Sequence, residues 1–290
     1  MEIGATGLDE GRILIAGCGY VGAELARRLV GDGVEVTGLG RRAEAPLEAI
    51  DWIRGDLADR DSLTELATRG FDAAVFAASP SSPDETGYRR IFTEGLGNLI
   101  DALAAASPAP KRLLFTASTA VYGQTDGEWV DEDSPTKPPR YNGRILLQAE
   151  RLLEAAPFTT SSLRLGGIYG PGRTRLIDQV RRGDASLDPG PPQFTNRIHR
   201  DDAAGALRHL LGVESPASVY LGVDSDPAAR NEVTRFLAER LGVPCPAVAD
   251  APAPRRAGSK RCRNTRLLRS GYHFAYPSFR EGYGEMIERL

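Results

Sequence analysis

Gly17-Cys18-Gly19-Tyr20-Val21-Gly22 decides how the rest of this 290-residue chain is read. It stands between Arg12-Ile13-Leu14-Ile15-Ala16, an apolar run suited to a buried strand, and Ala23-Glu24-Leu25-Ala26-Arg27-Arg28-Leu29, which has helical periodicity. A G-x-G-x-x-G at a strand-to-helix junction has a mechanical meaning. Gly17 permits the tight turn, Gly19 removes the side chain that would block a pyrophosphate, and Gly22 allows helix and strand to pack closely. Tyr20 and Val21 open the helix, whose N-terminus offers N–H groups and partial positive charge to an anion. The predicted ligand is a dinucleotide.

Working outward, strands are predicted at 34–39, 51–56, 73–78, 111–116 and 159–165, with helices at 61–68, 88–105 and 144–156 between them. Asp59 is the expected N-cap of the helix at 61–68. Alternation of this kind predicts a Rossmann-type, doubly wound, mostly parallel α/β sheet. Beyond Gly170 the pattern loosens. A helix at 201–211, a strand at 218–223 that returns to the sheet, a helix at 232–241 and a Pro/Ala-rich linker at 244–258 follow, then helical pieces at 264–270 and 278–290. The expected organisation is a dinucleotide-binding domain over 1–169, joined by 195–225, with 170–194 and 226–290 forming a small substrate lobe.

Bulk properties exclude several classes. The formal charge of -3 gives no support for nucleic-acid binding, which usually needs a basic face, and leaves room for a local basic pocket. No apolar run approaches about 18 residues, so no membrane span is expected, and the N-terminus lacks a secretory signal pattern. Cys18, Cys245 and Cys262 form neither a C-x-x-C nor a plausible disulfide framework, so a cytoplasmic location is expected. Cys18 is read as a small filler inside the glycine loop. The acidic loop Glu128, Asp131, Glu132 and Asp133 has no histidines beside it, and no metal site is expected.

The second strand ends in Gly38-Leu39-Gly40-Arg41-Arg42. NAD sites place a carboxylate there for the ribose 2′-hydroxyl. Two guanidiniums suit a 2′-phosphate instead, so NADP is the expected cofactor, with NAD the alternative. Asp56, after the third strand, either touches the adenine or is an ordinary loop aspartate.

These stretches resemble the extended short-chain dehydrogenases/reductases of the NAD-dependent epimerase/dehydratase-like family, over nearly the whole chain. Gly55-Asp56-Leu57 resembles the family's adenine-contacting loop and Ala77-Ala78 the small residues beneath the cofactor. Phe115 to Gly123 resembles the active-site strand, Leu163 to Gly172 the segment beside the nicotinamide, and Asn196 to Asp202 a later lobe motif. Lys260 to Asn264 resembles a substrate-lobe segment, with a charged surface face the alternative. The resemblance implies that Ser118 orients a substrate oxygen and that a Tyr-x-x-x-Lys on the next helix exchanges its proton. The chain departs here. Four residues past Tyr141 stands Ile145, and the other register puts Asn142 and Leu146 at the two positions. Phe92 stands where an asparagine is common. Tyr141 as proton donor with Arg144 as the nearby cation is one account, and a protein that only binds the dinucleotide is the other. The implied activity is NAD(P)-dependent oxidoreduction or epimerisation of a carbonyl, alcohol or nucleotide-sugar, with a catalytically degenerate NADP(H)-binding or regulatory protein as the alternative. A homodimer is implied by resemblance alone. Arg164, Tyr169, Arg173 and Arg175 are expected at a crevice mouth that would suit an anionic substrate, and His199 is expected to serve structure.

Overall fold

The computed structural model describes residues 11–251 and 258–290. Two compact units emerge from the contacts. One spans Met1–Val121, Lys137–Arg164 and Ala204–Tyr220; the other spans Tyr122–Thr136, Leu165–Ala203 and Leu221–Leu290. The stretch 1–169 with 195–225 thus contributes to both units.

The first unit carries the parallel sheet. β1 (Arg12–Ala16) is followed by α1 (Tyr20–Gly31), β2 (Glu35–Gly40), β3 (Asp51–Arg54), a 3-10 helix (Arg60–Thr68) and β4 (Ala73–Phe76). Asp59 caps the 3-10 helix, its side chain accepting the Asp61 N–H. A long helical run comes next: α2 (Glu85–Arg89), a π-helical segment (Arg90–Gly95) and α3 (Leu96–Ala104). The Asp84 side chain caps its start by accepting the Gly87 N–H at 2.7 Å. β5 (Arg112–Ser118) completes the inner strands. β6 (Glu128–Val130) lies in the second unit, α4 (Tyr141–Glu154) and β7 (Thr159–Leu165) follow, and the seven-stranded order is β10-β7-β5-β4-β1-β2-β3, with β10 at Val219–Gly222. The predicted return of the 218–223 strand to the sheet is therefore found.

Strands β3, β2, β1, β4 and β5 all pair in parallel. The chain runs from β1 outward to β3 and then crosses to β4 on the other side, so the order reverses between β1 and β4. β1 and β4 are apolar at their centres without alternation because both faces are covered: Ile13 to Ala16 and Ala74 to Phe76 have no solvent exposure, whereas β3 at the edge keeps Asp51 and Arg54 exposed. Phe92, in the π-helical segment, is core. Its ring lies 6.2 Å from Phe76 and 6.0 Å from Phe115, which explains an aromatic at that position.

In the second unit, β8 (Gly167–Tyr169) pairs with β9 (Arg197–His199), and β6 pairs with β11 (Lys260–Cys262). Its helices are α5 (Arg175–Arg181), the start of α6 (Arg200–Gly212), α7 (Arg230–Leu241), α8 (Thr265–Arg269) and α9 (Phe279–Glu288). Tyr169, Ile177, Val180, Val233, Leu237, Phe279 and Tyr283 form its apolar core. The two short sheets and α5 escape sequence reading because three-residue strands carry no usable period. The Pro/Ala linker is tied down where it is described: Leu187 exchanges backbone hydrogen bonds with Ala247 and Ala249. Residues 252–257 of it lie outside the described residues.

Candidate functional site

The three glycines of the first loop are held by three different constraints. Gly17 has φ +99°, and a Cβ on it would come within 2.4 Å of the Ala78 nitrogen. That contact joins the loop after β1 to Ala77-Ala78 after β4, at the point where the strand order reverses. Gly22 is packed from below: a Cβ would lie 2.2 Å from the Gly17 oxygen and 3.2 Å from Ile15 Cγ2. Gly19 is the opposite case, with no atom within 4 Å of its Cβ position. The position of the missing side chain at Gly19 is therefore open, as the approach of a pyrophosphate would require. α1 begins there with no side-chain cap and no acidic residue in its first turn. Tyr20 and Val21 form that first turn, so the positive end of the helix dipole lies at the open Gly19. The Gly17 N–H donates to the Leu39 oxygen at 2.9 Å, tying the loop to β2. The cradle fits a dinucleotide.

Cys18 packs rather than reacts. It is buried, its Sγ lies 3.7 Å from the Ile15 oxygen, and burial pushes its thiol up to about 12 against a small opposing pull from Arg42. Arg41 and Arg42 are exposed at the end of β2. Asp56 is half-buried and engaged: its Oδ1 accepts the Ala58 N–H at 3.0 Å and its Oδ2 the Arg90 guanidinium at 2.9 Å. Burial works against its ionisation, but those two donors and the charge of Arg41 hold the carboxyl below its usual range. Leu57 is buried, and a Cβ on Gly95 would approach its Cβ to 3.0 Å.

Ser118 ends β5, where its Oγ accepts the Ala120 N–H at 3.2 Å. Tyr141 is the first residue of α4. Gly143 brings this helix close to the segment after Ser118, since a Cβ there would lie 2.4 Å from both the Ala120 oxygen and Pro138 Cβ. The Tyr141 hydroxyl donates to the Pro83 carbonyl, and its ring meets Tyr88 edge-on at 5.6 Å. Tyr88 is pushed up by burial and by the Tyr141 phenol, and it bonds to the Asn142 side chain. No hydrogen bond links Ser118 to Tyr141 among the described residues. Arg144 does not reach the phenol: its Nη1 donates to the Pro139 oxygen at 2.8 Å. Ile145 and Leu146, at the two positions where a lysine would stand, are buried core. A cavity of about 450 Å³ lined by Pro139, Arg140, Tyr141, Asn142 and Arg144 opens at this end of α4. Sequence reading missed Gly143 and the Tyr88–Asn142 pair. A glycine in the first turn of a helix was the available signal for the former.

Two residues expected at a crevice mouth are elsewhere. Arg164 is 5 % exposed and grips Glu150 of α4 with a two-pronged ion pair at 2.9 and 2.7 Å. Tyr169 is buried, stacked on Tyr283 at 4.5 Å. Arg173 and Arg175 are exposed, Arg173 donating to the Ile168 oxygen.

In the second unit His199 is buried. Its Nδ1 accepts the Asp201 N–H at 3.2 Å, and burial, opposed by Asp201 and Asp202, keeps its pKa low. Asp202 is buried and accepts from the Tyr272 hydroxyl and the Ala275 and Tyr276 N–H groups. Asp224, 1 % exposed, has one carboxyl oxygen without a hydrogen-bond partner. Burial pushes its pKa up to about 8, against the pull of Arg197. The Lys260 run alternates: Lys260 and Cys262 face inward, while Arg261 and Arg263 lie over the half-exposed Trp129 ring at 4.8 and 4.9 Å. Among the described residues no helix is long and apolar enough to cross a membrane.

Comparison with known proteins agrees with this architecture. Protein YeeZ of Escherichia coli K12 is 29% identical over 281 residues, covering 92% of this chain and 96% of that protein. The UDP-glucose 4-epimerase of Corynebacterium glutamicum is 30% identical over 288 residues, covering 85% and 84%. A structure from Methylobacillus flagellatus, assigned to the NAD-dependent epimerases/dehydratases, superposes with TM-score 0.80 at 37% identity, covering 96% of this chain and 98% of that one. MoeE5 in complex with UDP-glucuronic acid and NAD superposes at 0.79 with 26% identity, covering 96% and 98%. Residues 13–189 match the NAD dependent epimerase/dehydratase family, to which this chain belongs.

Proposed function

We propose that this protein is a cytoplasmic, NADP-preferring oxidoreductase or epimerase acting on a nucleotide-sugar or another carbonyl or alcohol compound. The observation that carries it is the open space at Gly19 between two glycines that the protein itself fills. Relatives support the substrate class: MoeE5 is known with UDP-glucuronic acid and NAD, and UDP-glucose 4-epimerase is among the matching proteins. The paired guanidiniums of Arg41 and Arg42 support NADP, since their planar donors suit a phosphate.

In this reading Gly17, Gly19, Tyr20, Val21 and Gly22 hold the pyrophosphate, Asp56 and Leu57 border the adenine, and Ala77 and Ala78 leave room for the remainder of the dinucleotide. When bound, the nicotinamide supplies a hydride acceptor or donor. Ser118 donates a hydrogen bond from its hydroxyl to the reacting oxygen and orients it. Tyr141 exchanges the proton at its phenolic oxygen once that oxygen leaves the Pro83 carbonyl. Arg144 contributes positive charge at the entrance of α4, where an anionic substrate gains most from it. Residues 170–194 and 226–290 form the substrate lobe, and the working form is a homodimer.

A second reading is favoured by one feature of the site. With Ile145 and Leu146 buried and Arg144 turned to Pro139, Tyr141 has no ammonium at helical spacing to assist proton transfer. That arrangement suits a protein that binds NADP(H) and senses it. The two readings separate in one experiment: the oxidation state of NADP(H) is followed by absorbance, and the sugar products by chromatography, over a panel of UDP- and dTDP-sugars and simple carbonyls. Turnover that is lost in Ser118→Ala and Tyr141→Phe supports the enzyme. Tight NADPH binding by calorimetry without turnover of any compound supports the sensor, and absence of binding refutes both.

A further inference from the structure

Trp52 lies flat against β2 at the place where that strand carries glycines. Gly38 is its cross-strand partner. A Cβ on Gly38 would come within 2.8 Å of Cε3 and Cζ3 of the indole, and a Cβ on Gly40 within 2.8 Å of Cη2 and 3.1 Å of Cζ2. The ring therefore runs along the backbone from Gly38 to Gly40, toward the carboxyl end of the strand. Cys18 Sγ approaches the same Gly38 position to 2.9 Å, so the indole shares a face with the glycine loop. The indole Nε1–H donates to the Arg42 carbonyl at 3.1 Å. β2 ends at Gly40, where the Gly55 N–H still bonds to the Gly40 oxygen. The Trp52 bond extends the hold of the sheet two residues further, into the turn that carries Arg41 and Arg42. The charges of that turn are near the loop: Arg42 is close enough to Cys18, and Arg41 to Asp56, to favour the ionised form of each.

We propose that Trp52 is a positioning residue for nucleotide selectivity: by lying on Gly38 and Gly40 and clamping the Arg42 carbonyl, it fixes the turn from which Arg41 and Arg42 meet the 2′-phosphate of NADP(H). The inference rests on the NADP preference proposed above. Two free guanidiniums on an untethered turn would lose conformational freedom on grasping a phosphate; a tethered turn has lost most of it already. Selectivity then depends on an indole that touches neither the phosphate nor the reacting atoms.

The test is calorimetric titration of NADPH and NADH into the wild-type protein, Trp52→Phe, Gly40→Ala and Arg41→Ala/Arg42→Ala. Trp52→Phe keeps an aromatic ring and removes the N–H; Gly40→Ala pushes the indole off the strand and leaves Trp52 intact, so each covers for the other if one fails to fold. Trp52→Phe is expected to weaken NADPH binding about five-fold, equivalent to about 1 kcal/mol, with NADH affinity unchanged. Gly40→Ala shifts the ratio in the same direction, and Trp52→Phe adds nothing in the Arg41→Ala/Arg42→Ala background. Equal weakening of NADPH and NADH, or no change in either, overturns the positioning role. A wild-type protein with no preference for NADPH refutes the NADP reading and this inference with it. A preference that vanishes in Arg41→Ala/Arg42→Ala but survives in Trp52→Phe and Gly40→Ala refutes the inference alone.

Discussion

Adding one methyl group at either of two glycines three residues apart should have opposite consequences. At Gly19 a Cβ meets nothing within 4 Å, and φ is an ordinary -87°. Gly19→Ala should fold, with a loss of about 1 kcal/mol or less for the poorer N-cap. Its methyl would stand where the pyrophosphate approaches the backbone. Losing one charge-assisted hydrogen bond there costs about 2 kcal/mol, or roughly thirty-fold in affinity. At Gly22 the Cβ would lie 2.2 Å from a backbone oxygen, which has no rotamer to escape into. Gly22→Ala should lose about 3 kcal/mol of stability, and more if the loop is displaced. Thermal unfolding with and without NADPH reads both effects. At a concentration 100 times the wild-type Kd, NADPH stabilises the wild-type protein by about 2.7 kcal/mol, or roughly 5–10 °C. Gly19→Ala at that concentration should gain only about 0.9 kcal/mol, since the ligand is then at only some three times its Kd. A Gly19→Ala protein that binds NADPH as the wild type does would refute the assignment of this loop to the pyrophosphate.

Asp224 makes a pH prediction. Its pKa is near 8 in the folded protein, against 3.8 for an ordinary aspartate. The folded state therefore keeps a proton that the unfolded state releases, and the stabilisation is complete below pH 4 and lost as pH rises toward 8. Relative to Asp224→Asn, the wild type should lose about 1.4 kcal/mol per pH unit between pH 5 and 7 in urea unfolding; parallel profiles would contradict it. Arg197, Asp202, Asp226, Tyr169 and Tyr283 are the charged or titratable groups around it. Glu150→Gln should cost about 3–5 kcal/mol by leaving Arg164 buried without its counter-charge, whereas Glu150→Leu/Arg164→Met should recover most of that in the same measurement. Gly143→Ala should displace α4 from Ala120 and Pro138, lowering stability by about 1–3 kcal/mol and any turnover by more than its effect on NADPH affinity; unchanged turnover would separate α4 from the chemistry.

Local pattern was enough for the parallel sheet. Residues 13–16, 73–76 and 113–115 are apolar because both faces are covered, and such runs announce themselves without knowledge of the partner strands. The glycine loop was equally legible, since a G-x-G-x-x-G between an apolar run and a helical period is a pattern of consecutive residues. Arg164 was not legible. Nothing in Leu163-Arg164-Leu165 says that its guanidinium turns inward to Glu150, fourteen residues away, rather than outward to a ligand. The three-residue strands β6, β8, β9 and β11 were invisible for a related reason: their partners are separated from them by about thirty residues or more, and each is too short to show alternation.

By itself the sequence determined the strand–loop–helix that can hold a dinucleotide, the alternation that builds the sheet, and the absence of a lysine four residues past Tyr141, because all three are written in neighbouring residues. Only the tertiary structure decided that Gly19 is open while Gly17 and Gly22 are filled, that Tyr141 rests on Pro83 and Arg144 on Pro139, and that Trp52 braces the turn bearing Arg41 and Arg42. These depend on which atoms meet across the fold, and close contact between distant segments leaves no periodic trace in the chain that makes it.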